Sequence, residues 1–188
     1  MFFDAYTDEL KQTLDNIDRK DIEKLESWLE EARVNGKHVF VLGNGGSAAA
    51  ASHWVCDFGK GINVGESKRM KIMAPSDHSS IFTAYGNDNA YDQTMLEQLK
   101  NFLEPGDLVI SLSVSGSSGN LVEAQKYAKE AGAKTVCIVG DYNGKLIDIS
   151  DFSLVLHSKN YGVVEDIHLI LEHAISQNMK RSIIQAQA

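Results

Sequence analysis

Four serines fall within six residues at Ser113-Val114-Ser115-Gly116-Ser117-Ser118, directly after the apolar run 108–112. Hydroxyl donors at this density, where a strand hands over to a helix, can surround a tetrahedral anion. The helix that follows adds its unpaired N–H groups and the positive end of its dipole. A second loop of related character, Gly43-Asn44-Gly45-Gly46-Ser47, follows the apolar run 38–42. Glycine lets the backbone turn tightly and leaves its N–H groups unshielded. The loop has neither the GxGxxG spacing of dinucleotide sites nor the Gly-Lys-Ser/Thr of a P-loop, and alone it reads equally as a tight turn. The small residues Ala48-Ala49-Ala50-Ala51-Ser52 behind it let a helix lie close to a sheet. Together the loops point to a small phosphorylated ligand held by hydrogen bonds rather than by arginines, with Asn44, Gly45, Gly46, Ser47, Ser113, Ser115 and Ser118 as binding groups.

A second set of residues has the chemistry of proton transfer or metal binding. His53 and Asp57 are spaced i, i+4 and share one helix face. The pair suits a base with its orienting partner, two metal ligands, or a surface ion pair. The last long apolar-periodic segment carries Glu165, His168, Glu172 and His173. Glu165-x-x-His168 is a metal-compatible spacing in helical bundles. Glu165 and His173 lie about 80° apart around a helix that turns ~100° per residue. Ile167, Leu169, Ile170, Leu171 and Ile175 show that this helix packs deeply, so a histidine on it can equally be structural.

The elements that must position these groups follow from periodicity. Residues 2–35 read as two helices, with Asp18 capping the second and Gly36 stopping it. Their apolar stripes need cover, in part from another subunit. From residue 37, strands at 38–42, 70–74, 108–112, 135–139 and 152–156 alternate with helices at 47–58, 77–85, 91–102, 117–131, about 144–149 and 163–182. This alternation predicts an α/β fold with a parallel five-stranded sheet covered on both faces. In such sheets ligands bind beyond the carboxyl ends of the strands, where strand order reverses. Both polar loops fall at carboxyl ends, and so does Asp141-Tyr142-Asn143-Gly144.

The composition excludes several classes. With 188 residues, 43% of them hydrophobic, the chain reads as one domain with its own core. A formal net charge of −8 disfavours a nucleic-acid surface. No apolar stretch approaches a membrane span and no signal peptide is evident, so the expectation is a cytoplasmic protein without membrane contact. The two cysteines, Cys56 and Cys137, have no CxxC partners, which argues against a disulfide framework or a cysteine zinc site.

The order of GNGGS, a His-bearing helix, Gly86-Asn87-Asp88, the SVSGSS loop and a terminal helix with His173 resembles the sugar isomerase (SIS) domain family over nearly the whole chain, most of all its phosphoheptose isomerases. The resemblance implies a flavodoxin-like, doubly wound three-layer sandwich with no nucleotide cofactor. It also implies a homotetramer using the N-terminal helices, zinc or another divalent metal, and aldose–ketose isomerisation of sedoheptulose 7-phosphate. By the same likeness, Ser47, Ser113, Ser115 and Ser118 match phosphate contacts, while Asn44 and Asp88 match contacts to sugar hydroxyls. His53 matches a metal ligand and His173 an acid/base and metal ligand. Asp57 stands where the family has a catalytic glutamate, beside Cys56 in place of a second one. Glu165 replaces a glutamine that contacts metal or substrate, and Val114 a threonine of the phosphate loop. The implied metal set is His53, Asp57, Glu165 and His173, with Asp57 and His173 as the catalytic pair. A non-catalytic SIS module that binds a phosphosugar or a protein is the alternative of a different class.

Overall fold

A computed structural model describes residues 1–187. Two helices come first, α1 (Phe2–Asp15) and α2 (Arg19–Asn35). Asp18 caps α2 by accepting the Lys20 N–H at 2.9 Å, and Gly36 closes it with φ +65°, a conformation that costs glycine little. The α/β part then runs β1 (His38–Leu42), α3 (Gly45–Cys56), β2 (Lys71–Met73), α4 (Ser79–Asp88) and α5 (Leu96–Phe102). It continues with β3 (Leu108–Ser113), α6 (Gly119–Glu130), β4 (Lys134–Gly140), α7 (Lys145–Ile149), β5 (Phe152–Leu156) and α8 (Tyr161–Gln185).

All five strands are parallel, in the order β2-β1-β3-β4-β5. The chain winds outward to β2 on one side of β1, then returns to β3 on the other. The order therefore reverses between β1 and β3, which pair from Val39–Leu108 to Leu42–Ser111. Strand side chains alternate between two cores. Val39, Val41, Leu108, Ile110 and Leu112 pack with residues of α2, α3 and α8. Phe40, Leu42 and Val109 pack with residues of α5, α6 and α7. This is the predicted α/β three-layer arrangement, and burial of the sheet on both faces explains its nearly continuous apolar strands.

Boundaries differ where the chemistry lies. The helix expected from residue 47 begins at Gly45, so Asn44 is its N-cap and both glycines form its first turn. Ser113 is the buried last residue of β3 rather than a loop residue. The 91–102 segment splits into a single tight turn, Tyr91–Gln93, and α5. Beyond Cys56, α3 passes into a π-helical turn, Asp57–Gly61, a widened geometry that recurs at functional positions. No helix is long and apolar enough to cross a membrane among the described residues.

Candidate active site

The reversal point brings the two polar loops together. Asn44, Ser47, Ser113, Ser115, Ser118, Tyr161 and Glu165 line one cavity of about 100 Å³. The serine loop is held by its own hydroxyls: Ser113 Oγ accepts the Gly116 N–H at 3.0 Å and Ser115 Oγ accepts the Ser117 N–H at 3.3 Å. Each hydroxyl proton is left for a ligand. Ser118 is the N-cap of α6, but its side chain makes no capping bond. Gly116 takes φ +64° where a Cβ would press on Gly144 Cα and Val139. A Cβ on Gly144 would in turn strike the Ser115 carbonyl. The third loop, 141–144, thus buttresses the serine loop from behind and contributes no lining group to the cavity.

Glu165 enters this cavity from the first turns of α8. Its carboxylate lies directly against Gly46, where a Cβ would collide with it, and Ser47 Oγ donates to Glu165 Oε1 at 3.5 Å. Gly46 is therefore fixed by close approach of a side chain. Gly45 has φ +54° with open space around it, so its backbone conformation alone selects glycine.

Helices α3 and α8 run side by side in the same direction. Ser47 faces Glu165, Trp54 Nε1 donates to the His168 carbonyl at 3.1 Å, and His53 meets His173. At the downstream end, His53, Asp57, Glu172 and His173 each offer a ligand atom within 4.8 Å of all the others. His53 Nε2 and His173 Nε2 are 3.2 Å apart. Glu172 Oε2 lies 3.9 Å from the first and 3.7 Å from the second, and Asp57 Oδ1 lies 3.9 Å from His53 Nε2.

Here the structure departs from the sequence expectation. Glu172 joins the cluster, and Glu165 does not. Along one α-helix Glu165 and His173 are separated by about 12 Å of rise, and the Glu165 carboxylate lies at the upstream end, beside Gly46 and Ser47. Glu165 is one of the residues lining the serine-lined cavity. Asp88 also stays apart within this chain, because it ends α4 exposed, with Asn87 as its hydrogen-bond donor at 2.8 Å. Glu172 was legible only as the residue two turns beyond Glu165, on the same stripe. His168 is fully buried with Nε2 3.1 Å from the Ile138 carbonyl; burial pulls its pKa down to about 4, so it is a neutral structural donor.

The four-residue cluster suits a divalent cation. Glu172 is completely buried, yet neither carboxylate oxygen has a hydrogen-bond partner. Burial, then the neighbouring Asp57, push its pKa up to about 8. Unpartnered buried carboxylate oxygens beside two imidazoles and a second carboxylate make a donor set that zinc or a similar ion satisfies.

The SIS domain family matches residues 2–140. A phosphoheptose isomerase of Aliarcobacter butzleri is 31% identical over 93% of this chain and 92% of its own length. A probable phosphoheptose isomerase of Thermoplasma volcanium is 34% identical over 85% and 81%. Among solved structures, the fold agrees with a phosphoheptose isomerase from Neisseria gonorrhoeae at a TM-score of 0.86, with 22% identity over 96% of this chain and 95% of that one. The chain belongs to the SIS domain family, in its group of phosphoheptose isomerases.

Proposed function

We propose that this phosphosugar isomerase interconverts sedoheptulose 7-phosphate and the corresponding aldose, D-glycero-D-manno-heptose 7-phosphate, through an enediol. One observation carries the reading. Two parallel helices hold an anion cradle at one end and an acid–base cluster two turns downstream. Seven residues from Glu165 to Glu172 make about 10 Å, a span that suits a sugar chain with phosphate at one terminus and a carbonyl at the other. The names of the curated relatives support the same substrate class.

In this reading the phosphate takes hydrogen bonds from Ser47, Ser113, Ser115 and Ser118 and from the free N–H groups at the start of α3 and α6. Glu165 accepts from a hydroxyl of the chain. Asp57 removes the C1 proton, and the electron pair forms the C1–C2 double bond. The C2 carbonyl oxygen takes a proton from His173, giving the 1,2-enediol. Asp57 then returns its proton to C2 while His173 takes the O1 proton back, leaving the aldehyde at C1. A divalent ion held by His53, Asp57, Glu172 and His173 would supply polarisation of the carbonyl and stabilise negative charge on its oxygen. The intact four-residue cluster favours an enzyme over a purely binding module.

Incubation of the purified protein with sedoheptulose 7-phosphate in D₂O, with and without zinc, tests the proposal by NMR. The expected result is formation of the aldose, with deuterium at C2 in those turnovers in which the proton on Asp57 exchanges with solvent before it is returned. A thermal shift with the sugar phosphate but no turnover would instead establish a binding module. We further propose that the N-terminal helices mediate assembly as a homotetramer, since Phe2 and Phe3 are exposed at the start of α1. Sedimentation equilibrium showing a monomer would contradict this.

A further inference from the structure

We infer that Tyr91 and Asn120 are positioning residues that lock the Asn44 carboxamide as a hydrogen-bond donor, so that the ligand must present an acceptor oxygen there. The isomerase reading supplies the ligand, a sugar phosphate. The orientation itself comes from the network alone.

The backbone N–H of Leu121 donates to Asn120 Oδ1 at 3.1 Å. A backbone N–H cannot accept, so this bond identifies the oxygen of the Asn120 amide. That oxygen also accepts Asn44 Nδ2 at 2.9 Å, while Asn120 Nδ2 donates to Asn44 Oδ1 at 2.8 Å. The Tyr91 hydroxyl donates to the same Asn44 oxygen at 2.9 Å. Both lone pairs of Asn44 Oδ1 are thereby used, and one of its two N–H groups remains. Rotating the amide would set oxygen against oxygen and nitrogen against nitrogen across the Asn44–Asn120 pair.

Asn44 sits where this donor matters. It is the N-cap of α3, yet its side chain makes no capping bond, the usual task of asparagine there. It borders the serine-lined cavity and also a neighbouring one of about 570 Å³ that Tyr91 and Asn120 line. Asn120 belongs to the first turn of α6 and Tyr91 to the turn before α5. Two separate segments thus converge to orient one amide between the two polar loops.

A mutant cycle read by calorimetric affinity for sedoheptulose 7-phosphate tests this. Tyr91→Phe keeps the ring packed edge-on to Phe82, 5.9 Å between centroids, and Tyr91 is largely exposed, so the variant folds. It should weaken binding about 3- to 10-fold, the range for one lost hydrogen bond. In an Asn44→Ala background the same change should have no further effect, because Tyr91 acts only through Asn44. An equal loss in both backgrounds, or unchanged affinity in Tyr91→Phe alone, would overturn the inference. Turnover by the wild type is scored separately. Binding without isomerisation sinks the functional reading while the cycle still decides the positioning role, and absence of any binding by the wild type sinks both.

Discussion

Replacing His173 by alanine, or Asp57 by asparagine, is expected to lower turnover of sedoheptulose 7-phosphate by about 10²–10⁴-fold, the usual contribution of a positioned acid or base. Affinity for the sugar phosphate should largely survive, because the cradle stands two turns away along α3 and α8. Both side chains lie at the mouth of the cluster, half-exposed and within reach of a ligand, whereas Glu172 is sealed beneath them. Asp57→Asn is close in shape and removes the charge by which Asp57 accepts a proton and contributes to the cluster. The measurement is steady-state kinetics beside calorimetric affinity on the same preparations. Variants with wild-type turnover would remove these two groups from the mechanism. A loss confined to affinity would move them from proton transfer to binding.

Glu172→Gln is expected to have the second large effect, on metal affinity and on the pH dependence of stability together. In the metal-free protein the Glu172 carboxyl, ordinarily near 4.5, is pushed up to about 8, by burial first and by Asp57 second. Between those values the unfolded chain has released this proton while the folded chain retains it. Stability is therefore full below about 4.5 and falls as pH rises toward 8. His168 acts with opposite sign. Its pKa is lowered to about 4 by burial, so the unfolded chain takes up a proton that the folded chain refuses. The stability it contributes is present above about 6.5 and is lost as pH falls toward 4. The two trends offset one another in the middle of the range, and Glu172 acts alone between about 6.5 and 8.

Denaturant unfolding of the chelated protein should show that alkaline decline, and Glu172→Gln should flatten it while leaving the acid decline in place. Added zinc should restore the wild type at pH 8. The variant should bind zinc at least 10–100-fold more weakly, the loss seen when a group that merely supports a ligand is removed. An equal zinc-dependent rise in both proteins would exclude Glu172 from the metal set.

Much of this was legible in the chain because the relevant signals are local. The β1 and β3 runs are apolar apart from His38, Ser111 and Ser113, as strands buried on both faces require, and each ends in a polar loop, so the ligand end of the sheet could be read directly. The i, i+4 spacing of His53 and Asp57 placed them on one face, and the structure keeps them there across the start of a π turn. What failed to show was tertiary. Glu172 follows Leu171 on a deeply packed helix, and only the approach of α3 reveals that its stripe faces His53. Glu165 sits two turns nearer the start of α8 on the same stripe, so axial position alone puts it on the serine-lined cavity while Glu172 meets His53 and His173. Tyr91 and Asn120 carry no spacing pattern, because their partner, Asn44, is 47 and 76 residues away in the sequence. Asp88 carries no local signal of its own: it is named through the resemblance, and it lies exposed at the end of α4.

The central claim is spatial: the Gly/Ser turns hold the phosphate while the cluster on α3 and α8 receives the carbonyl. A crystal structure with sedoheptulose 7-phosphate bound tests it most directly. The account predicts phosphorus encircled by the hydroxyls of Ser47, Ser113, Ser115 and Ser118, with C1 and C2 lying beside Asp57 and His173. A phosphate bound away from the serine loop, or a sugar chain directed away from His173, would contradict it.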